Sequence, residues 1–254
     1  MSEKLANAPL VEVIFEMKWS LTQKTPGVLV DPNYSLLIGR LYDRIGENNY
    51  PFHEKLTTST IPEEMAGYII QHRFRIEREK WPLVQLGPGI ITLNETEGYE
   101  WADFEARLKE LVKAFLESYP DRSNLKIIEL TLRYIDAIPF DYSANPLDYL
   151  ESKMGIVAKI PTELFEDTGT GENPYAFNIL LSFPQQSPAG SSFLRVSKGQ
   201  KNGENAIIFE TGAKSKDGNV PQELDHICSW INNSHELTSN WFKKLFKELM
   251  ESFK

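Results

Sequence analysis

The sequence predicts an α+β fold made of two tandem β-α-β-β-β-α repeats, and three observations support this prediction. The segment 10–17, Leu-Val-Glu-Val-Ile-Phe-Glu-Met, returns in similar form at 127–134 as Ile-Ile-Glu-Leu-Thr-Leu-Arg-Tyr. Several segments alternate apolar and polar residues, which is typical of strands that are buried on one face only. Other segments place apolar residues at helical spacing. The sequence therefore predicts an antiparallel sheet with helices packed on one face and the other face open.

The first repeat, residues 1–122, contains these elements in order. Strands are predicted over 10–19, 68–78, 83–86 and 90–93, and helices after Asp31-Pro32 and over 99–119. Asp31-Pro32 resembles an N-cap followed by proline at the first helical position. The turn Gly87-Pro88-Gly89 joins two short antiparallel strands. The last helix closes the first unit.

The second repeat, residues 123–254, follows the same order. Strands are predicted over 126–136, 175–183, 193–196 and 206–209, and helices over 147–154, 224–231 and 241–253. Asn145-Pro146 matches Asp31-Pro32 as a helix entry. A loop over 156–174 separates the short helix from the next strand. We expect one compact unit in which a pseudo-twofold axis relates the two repeats and their first strands lie close together.

Composition limits the class of protein. The chain has 254 residues, a net charge of −9 and 41% hydrophobic residues, so it can bury the core of a globular domain. No apolar run approaches the roughly 18 residues of a spanning helix, and the N-terminus does not resemble a signal peptide. We therefore expect a cytoplasmic protein without membrane contact. The negative charge argues against sequence-independent nucleic-acid binding. The lone Cys228 is interpreted as a buried apolar residue.

Motifs for cofactor, metal or covalent chemistry are missing from the sequence. His226 and His235 are nine residues apart, which does not fit a helical ligand pair, and no Cys or His cluster has zinc spacing. His72 falls on the apolar face of a strand and is interpreted as a core histidine. There is no nucleophile elbow, phosphate loop or dinucleotide fingerprint. We predict no catalytic residue, cofactor or metal.

The open face of the predicted sheet collects the charged residues of the strands. The candidate binding residues are Glu12, Glu16, Arg73, Arg75, Glu129 and Arg133. On one interpretation they form cross-strand ion pairs that keep the sheet in solution. On the other they line a concave surface where arginines hold a carboxylate, a phosphate or an acidic segment of a partner.

Three functional hypotheses follow from this face. The leading one is a non-enzymatic binding protein that uses the open face or the groove between the repeats to hold a protein partner or a small anionic ligand. The alternative is an enzyme for a small anionic substrate, with an arginine clamp and Glu12 or Glu129 as the base, the two meeting near the pseudo-twofold axis. A third is nucleic-acid binding on the sheet face.

The chain also resembles a known group of proteins. The residues that carry the resemblance are the opening Asn-Ala-Pro-Leu-Val-Glu-Val-Ile-Phe-Glu of 7–16, Leu-Val-Gln-Leu-Gly-Pro of 83–88, Asn94, Tyr99, Trp101, Phe104 and Leu-Arg-Tyr-Ile-Asp of 132–136. They resemble a sporadically distributed bacterial family of this size that has no assigned activity. The resemblance implies a stand-alone cytoplasmic protein and transfers no catalytic residue. The element order also resembles the saddle of the TATA-binding protein, a likeness of fold alone.

Overall fold

The fold of this computed structural model is α+β, as the sequence predicts, and the structure describes residues 7–46, 49–96 and 98–254. The strands are β1 (Leu10–Trp19), β2 (Thr22–Thr25), β3 (Val28–Val30), β4 (Phe52–Lys55), β5 (His72–Arg75), β6 (Leu83–Gly87), β7 (Ile90–Glu95), β8 (Ile127–Pro139), β9 (Asn178–Gln185), β10 (Gly190–Lys201) and β11 (Glu204–Lys216). The helices are α1 (Tyr34–Ile45), α2 (Trp101–Ser118), α3 (Pro146–Met154), α4 (Leu224–Leu245) and α5 (Met250–Phe253).

The strands of the main sheet are all antiparallel. Within the described residues nine strands form this sheet, in the order β4-β5-β6-β7-β1-β8-β11-β10-β9, while β2 and β3 form a separate hairpin. The two strands that open the predicted repeats, β1 and β8, are neighbours at its centre. Phe15 lies directly opposite Leu132 in this pair. Strands from the N-terminal half therefore lie on one side of the β1–β8 pair, and strands from the C-terminal half lie on the other.

The core lies between one face of the sheet and the helices. Alternate residues of β1 point into it, and Val13, Phe15 and Met17 are fully buried. The main cluster draws on both halves of the chain, since Phe15 makes an edge-on contact with Trp230 of α4 at a centroid distance of 6.5 Å. A second apolar cluster lies under α3, α5 and the end of α4.

Before both α1 and α3 a side chain accepts the backbone N–H two residues further on, but only α3 begins where the sequence predicts. The Asn145 side chain accepts the backbone N–H of Leu147 at the start of α3, as the sequence predicts. The Asp31 prediction is wrong in detail, because α1 has Asn33 at its N-cap and begins at Tyr34. Asp31 is buried, and its side chain accepts the backbone N–H of Asn33 at 3.0 Å as well as hydrogen bonds from the Trp19 indole and the Tyr119 hydroxyl.

Several predicted boundaries differ from the structure. The strand predicted over 68–78 is limited to β5, because the preceding residues pack as turns beside β6. The sequence did not predict β2, β3 or β4, which are short. Strands β10 and β11 extend well beyond their predicted bounds, since each residue of the hairpin finds a cross-strand partner. The two final helical segments are largely one helix, α4.

No helix in the described part of the chain has the length and apolar character needed to cross a membrane.

Candidate binding surface on the open sheet face

The open face is the side of the main sheet whose residues alternate with the core residues. The strand registers place all the predicted binding residues on this face, namely Glu12, Glu16, Arg73, Arg75, Glu129 and Arg133. Their surroundings differ sharply. Some are engaged by neighbouring side chains, and others belong to a cluster in which cations outnumber carboxylates.

Arg73 and Glu12 are joined by a row of amides that crosses four strands. Arg73 Nε donates to Gln85 Oε1 at 2.9 Å, and Gln85 Nε2 donates to Asn94 Oδ1 at 3.2 Å. Asn94 Nδ2 then donates to Glu12 Oε1 at 2.8 Å. Thr92 Oγ1 also donates to Asn94 Oδ1, at 2.6 Å. This row holds the Arg73 and Glu12 charges in fixed positions. Its members also satisfy one another's hydrogen-bonding groups within the sheet.

Arg75 is occupied by groups of the protein itself. Its Nε donates to Glu54 Oε2 at 2.9 Å and its Nη1 donates to the Lys80 carbonyl at 3.0 Å. The guanidinium also lies 5.7 Å from the centroid of the Trp81 ring. With 8% of its surface exposed, Arg75 anchors the turn between β5 and β6 to β4. We therefore assign it a structural role and not a role in binding.

The Glu129 cluster consists of Glu16, Lys18, Glu129, Lys214 and Lys216. Glu129 pairs with Lys18 at 3.0 Å, and with Lys214 and Lys216 at 3.1 Å each. Lys18 also pairs with Glu16 at 2.8 Å. The carboxylate lies beneath its cations, since the Glu129 side chain is 9% exposed and that of Lys216 is 58% exposed. The cluster therefore presents ammonium groups to solvent.

The ionisation of Glu129 depends on these lysines. Burial alone raises its pKa, but hydrogen bonds from Lys18, Lys216 and Lys214 outweigh burial and lower the pKa to about 2. Glu129 is thus ionised at neutral pH, and it aligns lysines from β1 and β11, the two strands that flank β8. The sequence had indicated Glu129 but not Lys214 or Lys216, because these join the site only when β11 pairs with β8.

Arg133 extends the cationic surface along β8. Its Nη1 donates to Glu210 Oε1 at 3.0 Å, and its side chain is 36% exposed. Farther along the sheet, the exposed Arg195 donates from Nε to Asn178 Oδ1 at 2.9 Å. Arg133 lies opposite Gly212 of β11. A Cβ on that glycine would overlap the Phe193 ring, so an apolar ring lies close to the backbone beside Arg133.

Glu12 and Glu129 do not meet at the centre of the sheet. Glu12 lies opposite Ile135, and Glu129 lies opposite Lys18 at the other end of β1. The two positions are six residues apart along β1, which corresponds to about 20 Å. The structure does not bring together the paired carboxylates on which the enzyme hypothesis depended.

A second polar cluster is buried on the helix side of the sheet. Hydroxyl oxygens of Tyr99 and Tyr134 are 3.1 Å apart, and the Tyr134 hydroxyl is 2.8 Å from His235 Nδ1. Burial raises the pKa of Glu95 to about 7, with a further contribution from Asp103. Burial raises the pKa of Asp136 to about 7 as well.

The sequence reasoning missed this buried cluster, although a signal was available. Asp136 continues the alternation of Leu132 and Tyr134 and so falls on the core side of β8, where a carboxyl is unexpected. His235 stacks on Trp101 with centroids 3.6 Å apart, and burial lowers its pKa to about 4. We interpret Tyr99, Tyr134 and His235 as an internal hydrogen-bond chain that joins β8 to α4 and to the segment before α2.

His53 and His72 form a pair in which His72 is buried and His53 is exposed. His53 Nε2 and His72 Nδ1 are 2.8 Å apart, and the rings stack beside Phe74. Burial and the neighbouring His53 lower the pKa of His72 to about 4, so the pair is neutral at pH 7. This agrees with the interpretation of His72 as a core residue. Within the described residues no group of three or more His, Cys, Asp or Glu side chains is arranged to hold a metal ion.

Two clefts lie away from the predicted binding residues. One, of about 360 Å³, lies between α1 and α2 and is lined by Arg44, Tyr50, Arg107 and Glu117 among others. The other, of about 330 Å³, lies at the turn between β10 and β11. Neither includes a residue of the Glu129 cluster.

Comparison of the chain with protein-family models and with curated proteins finds no match in either set. The geometry of the open face is therefore the observation that bears on function.

Proposed function

We propose that this chain is a non-enzymatic binding protein that holds an anionic segment of a partner on its open sheet face, at the Glu129 cluster. The observation that carries this proposal is the convergence of Lys18, Lys214 and Lys216 on one buried carboxylate. Counting Glu16, the cluster has more cations than anions, although the chain as a whole has a net charge of −9. The cluster therefore offers an acidic partner segment a local positive charge on a protein whose net charge is negative.

The geometry favours binding because the lysines are already ordered. Each ammonium group has three N–H donors, and the contacts to Glu129 and Glu16 leave some of them for a ligand. Flexible lysines normally lose rotamer entropy when a ligand fixes them, and the ion pairs of the cluster have already imposed that ordering. Arg133 extends the surface along β8, so a carboxylate-bearing peptide would have more than one point of attachment.

The first test uses a fluorescein-labelled oligoglutamate peptide and fluorescence anisotropy. Lys214→Ala with Lys216→Ala should weaken binding about tenfold or more, since two charge-assisted contacts are lost. The matched control is Lys243→Ala with Lys244→Ala, which removes the same charge from exposed positions in the last turn of α4. Added salt should weaken binding to the wild-type protein. An equal loss in both double variants, or no loss in either, would overturn the proposal.

Glu129→Gln should change binding in the opposite direction. It removes the carboxylate that competes with the ligand for the lysines and adds one unit of positive charge to the cluster, which should outweigh the lost ordering of the lysines, so the peptide should bind several-fold more tightly. The same variant should be less stable at neutral pH, because the lowered pKa of Glu129 means that its ionised form stabilises the fold. That contribution is present above the unfolded pKa of about 4.5 and is lost as the pH falls towards 2. Weaker peptide binding by this variant would count against the proposal.

The hypothesis of nucleic-acid binding is tested in the same assay. A labelled DNA duplex that bound more tightly than the peptide would replace the proposal with nucleic-acid binding on the sheet face. The enzyme hypothesis has less support, given the separation of Glu12 and Glu129 along β1.

We also propose that the chain arose by tandem duplication and has a saddle-like pseudo-twofold arrangement. What supports this is the pairing of Phe15 with Leu132, since the two residues occupy equivalent positions in the predicted repeats. Glu12 and Glu129 are equivalent in the same alignment, so they fall on opposite sides of the proposed axis. We propose further that the chain belongs to the sporadically distributed bacterial family and that it is cytoplasmic.

A further inference from the structure

The two edges of the main sheet differ in length and charge. Strand β4 has only four residues, among them the charged Glu54 and Lys55. Short, charged edge strands of this kind usually protect a sheet from pairing with other strands. Strand β9 at the other edge has eight residues and no charge. The whole segment from Asn173 to Leu194 has no charged side chain. In a chain with a net charge of −9, an uncharged edge of this length is unusual.

Apolar side chains are exposed along the same edge. Of the eleven large hydrophobic residues that are exposed in the described part of the chain, seven lie between Val157 and Phe183. Three of these are on β9 itself, where Leu180, Leu181 and Phe183 are 61%, 42% and 44% exposed. They occupy both faces of the strand, and Phe183 contacts Trp241 of α4 edge-on. A concentration of exposed apolar residues of this kind marks an interaction surface.

We propose that β9 is a dimerisation edge, on which β9 of a second copy pairs antiparallel about a twofold axis and joins the two sheets into one. This inference is independent of the anion site. A second copy fits because two uncharged β9 strands bring no like charges together, although each molecule has a net charge of −9. Pairing of β9 with β4 of another copy would give an open-ended array, and the charges of β4 oppose it.

The backbone of β9 is suited to this pairing. Proline is accommodated on an edge strand where its nitrogen faces away from the neighbouring strand, and Pro184 is near the end of β9. Backbone groups alternate in direction along a strand, so Leu180 and Ser182, like Pro184, turn their N–H and C=O groups away from β10. A partner strand would satisfy these groups and cover Leu180 on the open face and Leu181 and Phe183 on the helix face. The open faces of the two copies would become continuous.

The test is the molar mass of the full chain in solution, measured by light scattering coupled to size exclusion. The wild-type protein should be a dimer at micromolar concentration. Leu180→Lys should raise the dimer dissociation constant about tenfold or more, because it places like charges near each other across the axis. The matched control is Leu36→Lys, which changes a residue of similar exposure, 59%, on α1. This control should stay dimeric.

A second variant distinguishes loss of dimerisation from misfolding. Ser182→Lys adds a charge at another exposed position of β9 and should also give a monomer, with the circular dichroism spectrum of the wild-type protein. A monomeric wild-type chain would overturn the proposal. So would folded Leu180→Lys and Ser182→Lys variants that stay dimeric, since the contact would then lie elsewhere.

Discussion

At the scale of single residues, the buried carboxyl of Asp136 is the group with the clearest effect on stability. Its surface is 1% exposed, and Oδ2 has no hydrogen-bond partner in the part of the chain that the structure describes. Burial raises its pKa to about 7 from the ordinary value of 3.8. The folded state therefore prefers the protonated acid. The pKa of Asp136 is higher in the folded state than in the unfolded state. The contribution of this residue to stability is therefore fully present below about pH 3.8 and is lost as the pH rises towards 7.

We expect Asp136→Asn to remove this pH dependence. Between pH 5 and 8 the wild-type protein should lose about 2 to 3 kcal/mol of unfolding free energy relative to the variant, at 1.36 kcal/mol per pKa unit. Urea unfolding at both pH values measures the difference. Asp43→Asn, at an exposed position of α1, is the control and should follow the wild-type protein. Parallel pH profiles for wild type and Asp136→Asn would contradict the expectation.

At the scale of elements, β11 depends on a glycine for close packing and not for its backbone angles. A Cβ on Gly212 would lie 2.8 Å from the Leu132 carbonyl oxygen and would overlap the Phe193 ring. The carbonyl belongs to β8 and cannot move without disturbing the sheet centre. Gly39 in α1 is the opposite case, since a Cβ there would meet nothing within 4 Å.

The same substitution should therefore have opposite effects in these two elements. Gly212→Ala should destabilise the protein by about 1 to 3 kcal/mol through overpacking. Gly39→Ala should stabilise it by about 0.5 to 1 kcal/mol, because alanine is the better helix former. Chemical denaturation of the two variants beside the wild-type protein measures both values. An equal effect of the two substitutions would show that the packing at Gly212 is relaxed.

Elements also show where prediction from sequence succeeds. The start of α3 was predictable because Asn145 and Pro146 act within one turn of the helix. The start of α1 was predicted two residues too early, because Asp31 accepts the backbone N–H of Asn33 in a turn that precedes the helix and also bonds Trp19 and Tyr119 in the core. Strand β4 was missed because its four residues are held by pairing with β5, which leaves no periodic signal in so short a segment.

At the scale of the whole molecule, the two halves share one core and one sheet. The β1–β8 pair joins them at the centre, and Phe15 packs against Trp230 from the other half. A half taken alone would expose this apolar surface and the edge of its first strand. Folding of either half is therefore expected to depend on the other.

Separation of the halves tests this dependence. The fragment 1–122 should lack a folded core by itself, and co-expression with 123–254 should restore it. Dispersion of amide signals in NMR spectra is the measurement. The control is the full chain cleaved after folding within the exposed connection 155–177, which should keep its dispersion because no sheet strand is removed. A well-dispersed spectrum from 1–122 alone would mean that the halves are independent domains.

The sequence by itself determined which side of each strand faces the core, because side chains alternate with a period of two whatever the strand pairs with. It therefore predicted that Glu12, Arg73, Glu129 and Arg133 share the open face. Only the tertiary structure decided which of the candidate residues are bound by other groups of the protein, which are far apart and which form a cluster. Glu54 engages Arg75, the register separates Glu12 from Glu129, and β11 brings Lys214 and Lys216 to Glu129. The physical reason is that the pairing and register of distant strands depend on contacts between residues far apart in the chain.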